Sequence, residues 1–164
     1  MKIIFIRGLP GTGKTVIAEI LKKIFIDSEI ICVDKFKIQA IKKEKNFEKS
    51  LEISHKKTLE KLNLLNKEYV IVEELICDKD FYNDLNNFVN KTKSHAYWFR
   101  LLRPLEKLLE VEKGRKRKIK NNKEDFDKLK RDIKSCKIEN EHLIKNNNLA
   151  LTIEKILDII NQKP

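Results

Sequence analysis

The sequence predicts an α/β fold in three layers, with a five-stranded parallel sheet between two layers of helices. Two observations carry the prediction. Short runs rich in β-branched and aromatic residues, at 2–6, 29–33, 69–72 and 95–102, alternate with longer segments whose apolar residues recur at helical spacing. Strands so far apart cannot pair as hairpins, so each connection is a right-handed crossover that lays a helix on the sheet. In addition, three of the four glycines fall between Gly8 and Gly13, directly after the first run. A chain this poor in glycine concentrates it where the backbone must wrap tightly.

The first run, KIIFI, is continuously apolar, as a strand buried on both faces must be. From residue 13 to about 26, Val16, Ile17, Ile20, Leu21 and Ile24 form one apolar stripe, with Glu19, Lys22 and Lys23 on the other face. The second run closes at Asp34. Residues 47–67 carry Phe47, Leu51, Leu59, Leu62 and Leu65 at helical intervals and lead into the third strand. Asp78 is placed to cap a helix containing Phe81, Leu85, Phe88 and Val89. After the fourth strand, Pro104 opens a helix through Leu105, Leu108, Leu109 and Val111, and Gly114 is expected to end it in the left-handed conformation. A polar helical stretch then reaches about residue 145. A fifth short strand is expected at 149–151, and Thr152 leads into a last helix through Ile153, Ile156, Leu157 and Ile160. No repeat and no second apolar core interrupts the order, so residues 1–164 are expected to form one domain.

Composition excludes several functions. No window approaches the roughly 18 consecutive apolar residues of a membrane span, so no membrane role is expected and a cytoplasmic location is. Three cysteines, Cys32, Cys77 and Cys136, form no CxxC pair, and His55, His95 and His142 are scattered; neither a disulfide framework nor a zinc site is indicated. The net charge is +11. Seven of these charges lie in residues 113–131, which hold ten basic and three acidic side chains, so any electrostatic function belongs there.

Gly8-Leu9-Pro10-Gly11-Thr12-Gly13-Lys14-Thr15 matches GxxxxGK[ST] and stands between a strand and a helix, the setting a phosphate-binding loop requires. Glycines let consecutive backbone N–H groups converge on a β-phosphate at the positive end of the following helix. In such a loop Lys14 reaches the β- and γ-phosphates of a nucleoside triphosphate, and Thr15 ligates Mg²⁺.

With this loop in this place, IRGLPGTGKT resembles the opening of the small P-loop kinases, including their zeta-toxin and polynucleotide-kinase-like branch. The resemblance implies the P-loop NTPase fold, ATP and Mg²⁺, and a basic helical lid over about residues 113–131. It also implies transfer of the γ-phosphate to a hydroxyl or phosphate of a small-molecule acceptor, a metabolite or nucleoside-like compound. Asp34 falls where these kinases carry an acidic residue facing the acceptor hydroxyl, as general base or orienting group, and Lys37 would bind an anionic group of the acceptor. Glu73 and Glu74 end the third strand where such proteins keep a carboxylate near the metal, more often aspartate. Glu73 is assigned to the metal beside Thr15, and Glu74 to the acceptor. Arg115 and Arg117 are the lid arginines, Arg115 acting in transfer and Arg117 on the donor phosphates. Relatives often carry an earlier lid arginine, where this chain has Val111 and Lys113. Two competing functions stand beside the small-molecule kinase: a 5′-end polynucleotide kinase, with the basic segment tracking nucleic-acid phosphates, and an NTP-binding switch or ATPase with no acceptor.

Overall fold

The computed structural model describes residues 1–116 and 120–162. In order these form β1 (Lys2–Gly8), α1 (Lys14–Ile24), β2 (Ser28–Cys32), α2 (Val33–Glu44), α3 (Phe47–Leu64), β3 (Tyr69–Glu74), α4 (Lys79–Thr92), β4 (His95–Leu102), α5 (Leu105–Lys113), α6 (Lys123–Ser135), β5 (Glu141–Lys145) and α7 (Leu149–Asn161). The strands make one parallel sheet in the order β2-β3-β1-β4-β5. The three-layer α/β architecture and the five strands agree with the sequence.

Alternation along β1 divides the core. Ile3 and Phe5 pack with Val70, Val72 and Trp98 against Leu62 of α3 and Phe81, Leu85 and Phe88 of α4. Ile4 and Ile6 pack with Ile71, Phe99 and Ile144 against Ile17 and Leu21 of α1 and Ile156 and Ile160 of α7. Phe5 and Trp98, paired in register, stack their rings 3.8 Å apart. The α1 crossover runs from β1 to β2 and the α4 crossover from β3 to β4, toward opposite edges of the sheet. Chains that leave in opposite directions open a crevice above the carboxyl ends of the central strands.

Four local expectations are corrected. The fifth strand is Glu141–Lys145, and residues 149–151 are the first turn of α7, whose cap Asn148 accepts a hydrogen bond from the Leu151 amide. β5 lies at the sheet edge with only Ile144 buried, so its apolar signal is weak, while Leu149 and Leu151 point to solvent. The helix entering that region stops at Ser135, far short of 145. Asp34 sits in the first turn of α2, a helix the apolar pattern did not announce because only Val33 and Ala40 are buried in it. Gly114 has φ −76°, so α5 ends right-handed, with the Arg115 amide bonded to the Glu112 carbonyl. The cap by Asp78 is as expected, with its carboxylate accepting from the Asp80 and Phe81 amides.

Candidate nucleotide site

Gly8 to Thr15 form a tight loop over the carboxyl end of β1, and α1 begins within it. Two glycines are dictated by space. A Cβ on Gly8 would lie 2.8 Å from the Leu101 carbonyl of β4, and one on Gly13, which has φ +94°, would lie 2.6 Å from the Asn146 amide nitrogen. Lys14 curls back across the loop, its ammonium donating to the Gly8 carbonyl at 2.9 Å and to the Leu9 carbonyl at 3.4 Å. Burial pushes Lys14 below the ordinary lysine range, against the pull of Glu74, Asp34 and Glu73 and with a push from Arg115. A cation already desolvated beside backbone carbonyls exchanges them for phosphate oxygens at little cost in hydration.

The end of β3 faces this loop. Thr15 donates its hydroxyl to both oxygens of Glu73, at 2.9 and 3.1 Å. A hydroxyl and a carboxylate are the hard oxygen donors that Mg²⁺ accepts alongside phosphates and water, so the pair fits the ion that the motif implies. Among the described residues no three His, Cys, Asp or Glu side chains gather as a metal cage. Glu74 is buried with Oε2 lacking a hydrogen-bond partner, and Lys37 lies between it, at 3.6 Å, and Asp34, with which it pairs directly. Burial pushes Lys37 down, but Glu74 and Asp34 together outweigh it and hold the ammonium above its ordinary range. Burial, then the Asp34 charge, raises the Glu74 carboxyl, opposed by Lys37 and Lys14. Lys14, Thr15, Asp34, Lys37, Glu73 and Glu74 thus come together, although they arise from three separate elements.

Arg115 follows α5, pairs with the buried Glu112 at 3.3 Å, and is close enough for its charge to act on Lys14. Arg117 lies outside the described residues. Two loop partners escaped the sequence reading. Arg103 donates to the Gly11 carbonyl at 3.1 Å. Asn146 donates to the Thr12 carbonyl at 2.7 Å, and its own oxygen is fixed by the Thr152 hydroxyl at 3.0 Å. Arg103 carried a signal, as one of six arginines in a lysine-rich chain; Asn146, within a run of three asparagines, carried none.

This arrangement, a glycine loop at the end of a central parallel strand with a lysine and a threonine opening the next helix, is a nucleotide-binding P-loop fold, and solved structures reproduce it over nearly the whole chain. The tunicamycin resistance protein of Deinococcus radiodurans superposes with a TM-score of 0.70 at 16% identity, covering 99% of this chain and 96% of that one. A gluconokinase from Sinorhizobium meliloti 1021 gives 0.69 at 14%, covering 96% and 90%. Chaetomium thermophilum Kti12 in complex with ADP-AlF3 gives 0.68 at 16%, covering 95% and 97%. No curated protein matches the chain in sequence. The family described as chromatin associated protein KTI12 matches residues 1–139, more than four fifths of the chain, and the protein therefore belongs to the KTI12 family of P-loop proteins.

Proposed function

We propose that this protein is an ATP-dependent phosphotransferase that carries the γ-phosphoryl group to a hydroxyl or phosphate of a small metabolite or nucleoside-like acceptor. The observation that carries the reading is the bridged pair of carboxylates, Asp34 and Glu74 with Lys37 between them, on the side of the loop away from Arg103 and Asn146 and beside Lys14. Loop amides and Lys14 hold the donor phosphates, and Arg115, whose charge reaches Lys14, adds to them from the start of the basic segment. Asp34, half exposed at the start of α2, orients the acceptor hydroxyl and takes its proton as the new O–P bond forms and the bond from the γ-phosphorus to the β–γ bridging oxygen breaks, releasing ADP. Lys37 holds an anionic group of the acceptor. Thr15 and Glu73 are the residues that would hold Mg²⁺, which would supply charge neutralisation at the phosphates. The neighbouring gluconokinase supports an acceptor of this class.

A second reading, hydrolysis to water under the control of a partner, is favoured by family membership and by the Kti12 structure with ADP-AlF3. Labelled γ-phosphate separates the two. Label appearing in an acceptor identifies the kinase, and label released as inorganic phosphate in the presence of every acceptor offered identifies the ATPase. Label on the 5′ hydroxyl of an oligonucleotide, bound with steep salt dependence, identifies the polynucleotide kinase. Lys14→Ala is expected to abolish nucleotide binding, while Asp34→Asn keeps it and loses transfer. Full transfer in both variants refutes the site.

A further inference from the structure

Among the described residues Arg7 is the largest fully buried side chain, and it immediately precedes the phosphate-binding loop. By the alternation of β1 it occupies the same face as Ile3 and Phe5, where an apolar residue would cost nothing in desolvation. Its guanidinium instead reaches three other parts of the chain. Nε and Nη2 form a two-pronged contact with Glu141, the first residue of β5, with the Nη2 bond at 3.0 Å. Nη1 donates to the Ile76 carbonyl at 2.7 Å, and Nη2 to the Cys136 carbonyl at 3.0 Å.

Two of those partners, Ile76 and Cys136, follow segments that border the proposed site. Ile76 lies two residues beyond Glu74 and holds a left-handed backbone, φ +43°, that a β-branched residue adopts only when its surroundings enforce it. Cys136 closes α6, the helix that carries the second half of the basic segment. In register, Arg7 lies beside Glu74 across the β1–β3 pair. Glu141 is shared with Arg100 at 3.3 Å, which anchors the carboxylate from a second side. A planar fork with several fixed donors suits this task, since it sets angles as well as distances, where a lysine would supply one point of charge.

We propose that Arg7 is a positioning residue for phosphoryl transfer. It locks the carboxyl end of β3, and with it Glu74, to the base of the phosphate-binding loop and to the end of α6, so that the donor loop and Glu74 share one frame. This rests on the phosphotransferase reading for its effect on turnover, and on nucleotide binding alone for its effect on the backbone. Removing one member leaves a buried charge unpaired, so the informative variant removes both charges and leaves Arg100 an acceptor: Arg7→Met with Glu141→Gln. Arg7→Lys, which keeps the charge but not the fork, is the companion.

Four quantities are measured on each full-length protein: the urea midpoint, the affinity for MgADP, the KM and kcat for ATP turnover, and hydrogen exchange at amides 75–78 with and without MgADP. For the folded double variant the expectation is MgADP affinity and KM close to wild type, kcat lower by roughly 10- to 100-fold from misplacement of reacting groups, and loss of the MgADP-dependent protection at 75–78. Arg7→Lys is expected to recover part of kcat. Wild-type kcat together with wild-type protection in a folded variant overturns the proposal, as does a parallel decline of affinity and kcat that tracks the urea midpoint. If the double variant does not fold, Arg7→Lys decides on the same readouts. If the wild-type protein turns over no ATP with any acceptor, the phosphotransferase reading fails, and the exchange experiment by itself sustains or overturns the role of Arg7.

Discussion

Gly13→Ala isolates the part of the loop that depends on a distant element. The new methyl group has two separate consequences. Holding an L-residue near φ +94° costs about 1–2 kcal/mol whatever surrounds it. The methyl also displaces the Asn146 amide, which would otherwise stand 2.6 Å away, and breaks its bond to the Thr12 carbonyl, worth about 1 kcal/mol net. The total is about 2–3 kcal/mol in the wild-type background. With Asn146→Ala already present, the second consequence has nothing left to act on and Gly13→Ala costs only the backbone part. Urea unfolding of the wild type, both single variants and the double variant therefore yields a coupling of about 1 kcal/mol between positions 13 and 146. An equal cost of Gly13→Ala in both backgrounds, within about 0.3 kcal/mol, would refute the reasoning, because the loop would then not be clasped from β5.

Three further expectations concern charge. His55 lies flat against Phe81, ring centroids 3.8 Å apart, and burial holds its pKa below the ordinary 6.5. The unfolded chain takes up that proton more readily, so stability is full above 6.5 and declines as pH falls through that value toward the folded pKa; His55→Phe should flatten urea midpoints between pH 7.5 and 5.5, and an unchanged slope contradicts it. For Glu74, raised by burial and by Asp34, the sign is opposite: its contribution is full below 4.5 and lost as pH rises through the folded pKa. Glu74→Gln should raise the urea midpoint at pH 8 while lowering transfer, and a lower midpoint there counts against the assignment. The Cys32 thiol, pushed up to about 12 by burial and then by Glu73, is expected to resist alkylation at pH 7.5 in the folded protein; rapid labelling would contradict that buried setting beside Glu73.

Legibility in the sequence followed burial and backbone constraint. β1 and β3 were read directly because strands buried on both faces need uninterrupted apolar runs. β5 lies several residues before the run at 149–151 because an edge strand with one buried side chain makes no such demand. α2 went unannounced for a similar reason. Asp34 and Lys37 lie near its start, and only Val33 and Ala40 are buried in it. Glu74 is legible from its place at a strand end, whereas the charge that opposes it, Lys37, becomes its partner only through the turn of α2.

What the sequence determined alone is the loop chemistry and the layer plan. Eight consecutive residues carry the amide cup, its lysine and its threonine, and the spacing of apolar runs requires crossovers between parallel strands. Packing of the sheet selects the side chains from elsewhere that face that cup, Glu73 on Thr15 and Arg103 and Asn146 on the loop carbonyls, and it joins Arg7 to partners 69 and more positions away. Local geometry follows from local steric rules, which a sequence states explicitly. Partnerships between distant polar groups follow from strand order and register, and these emerge only when the sheet closes on its core.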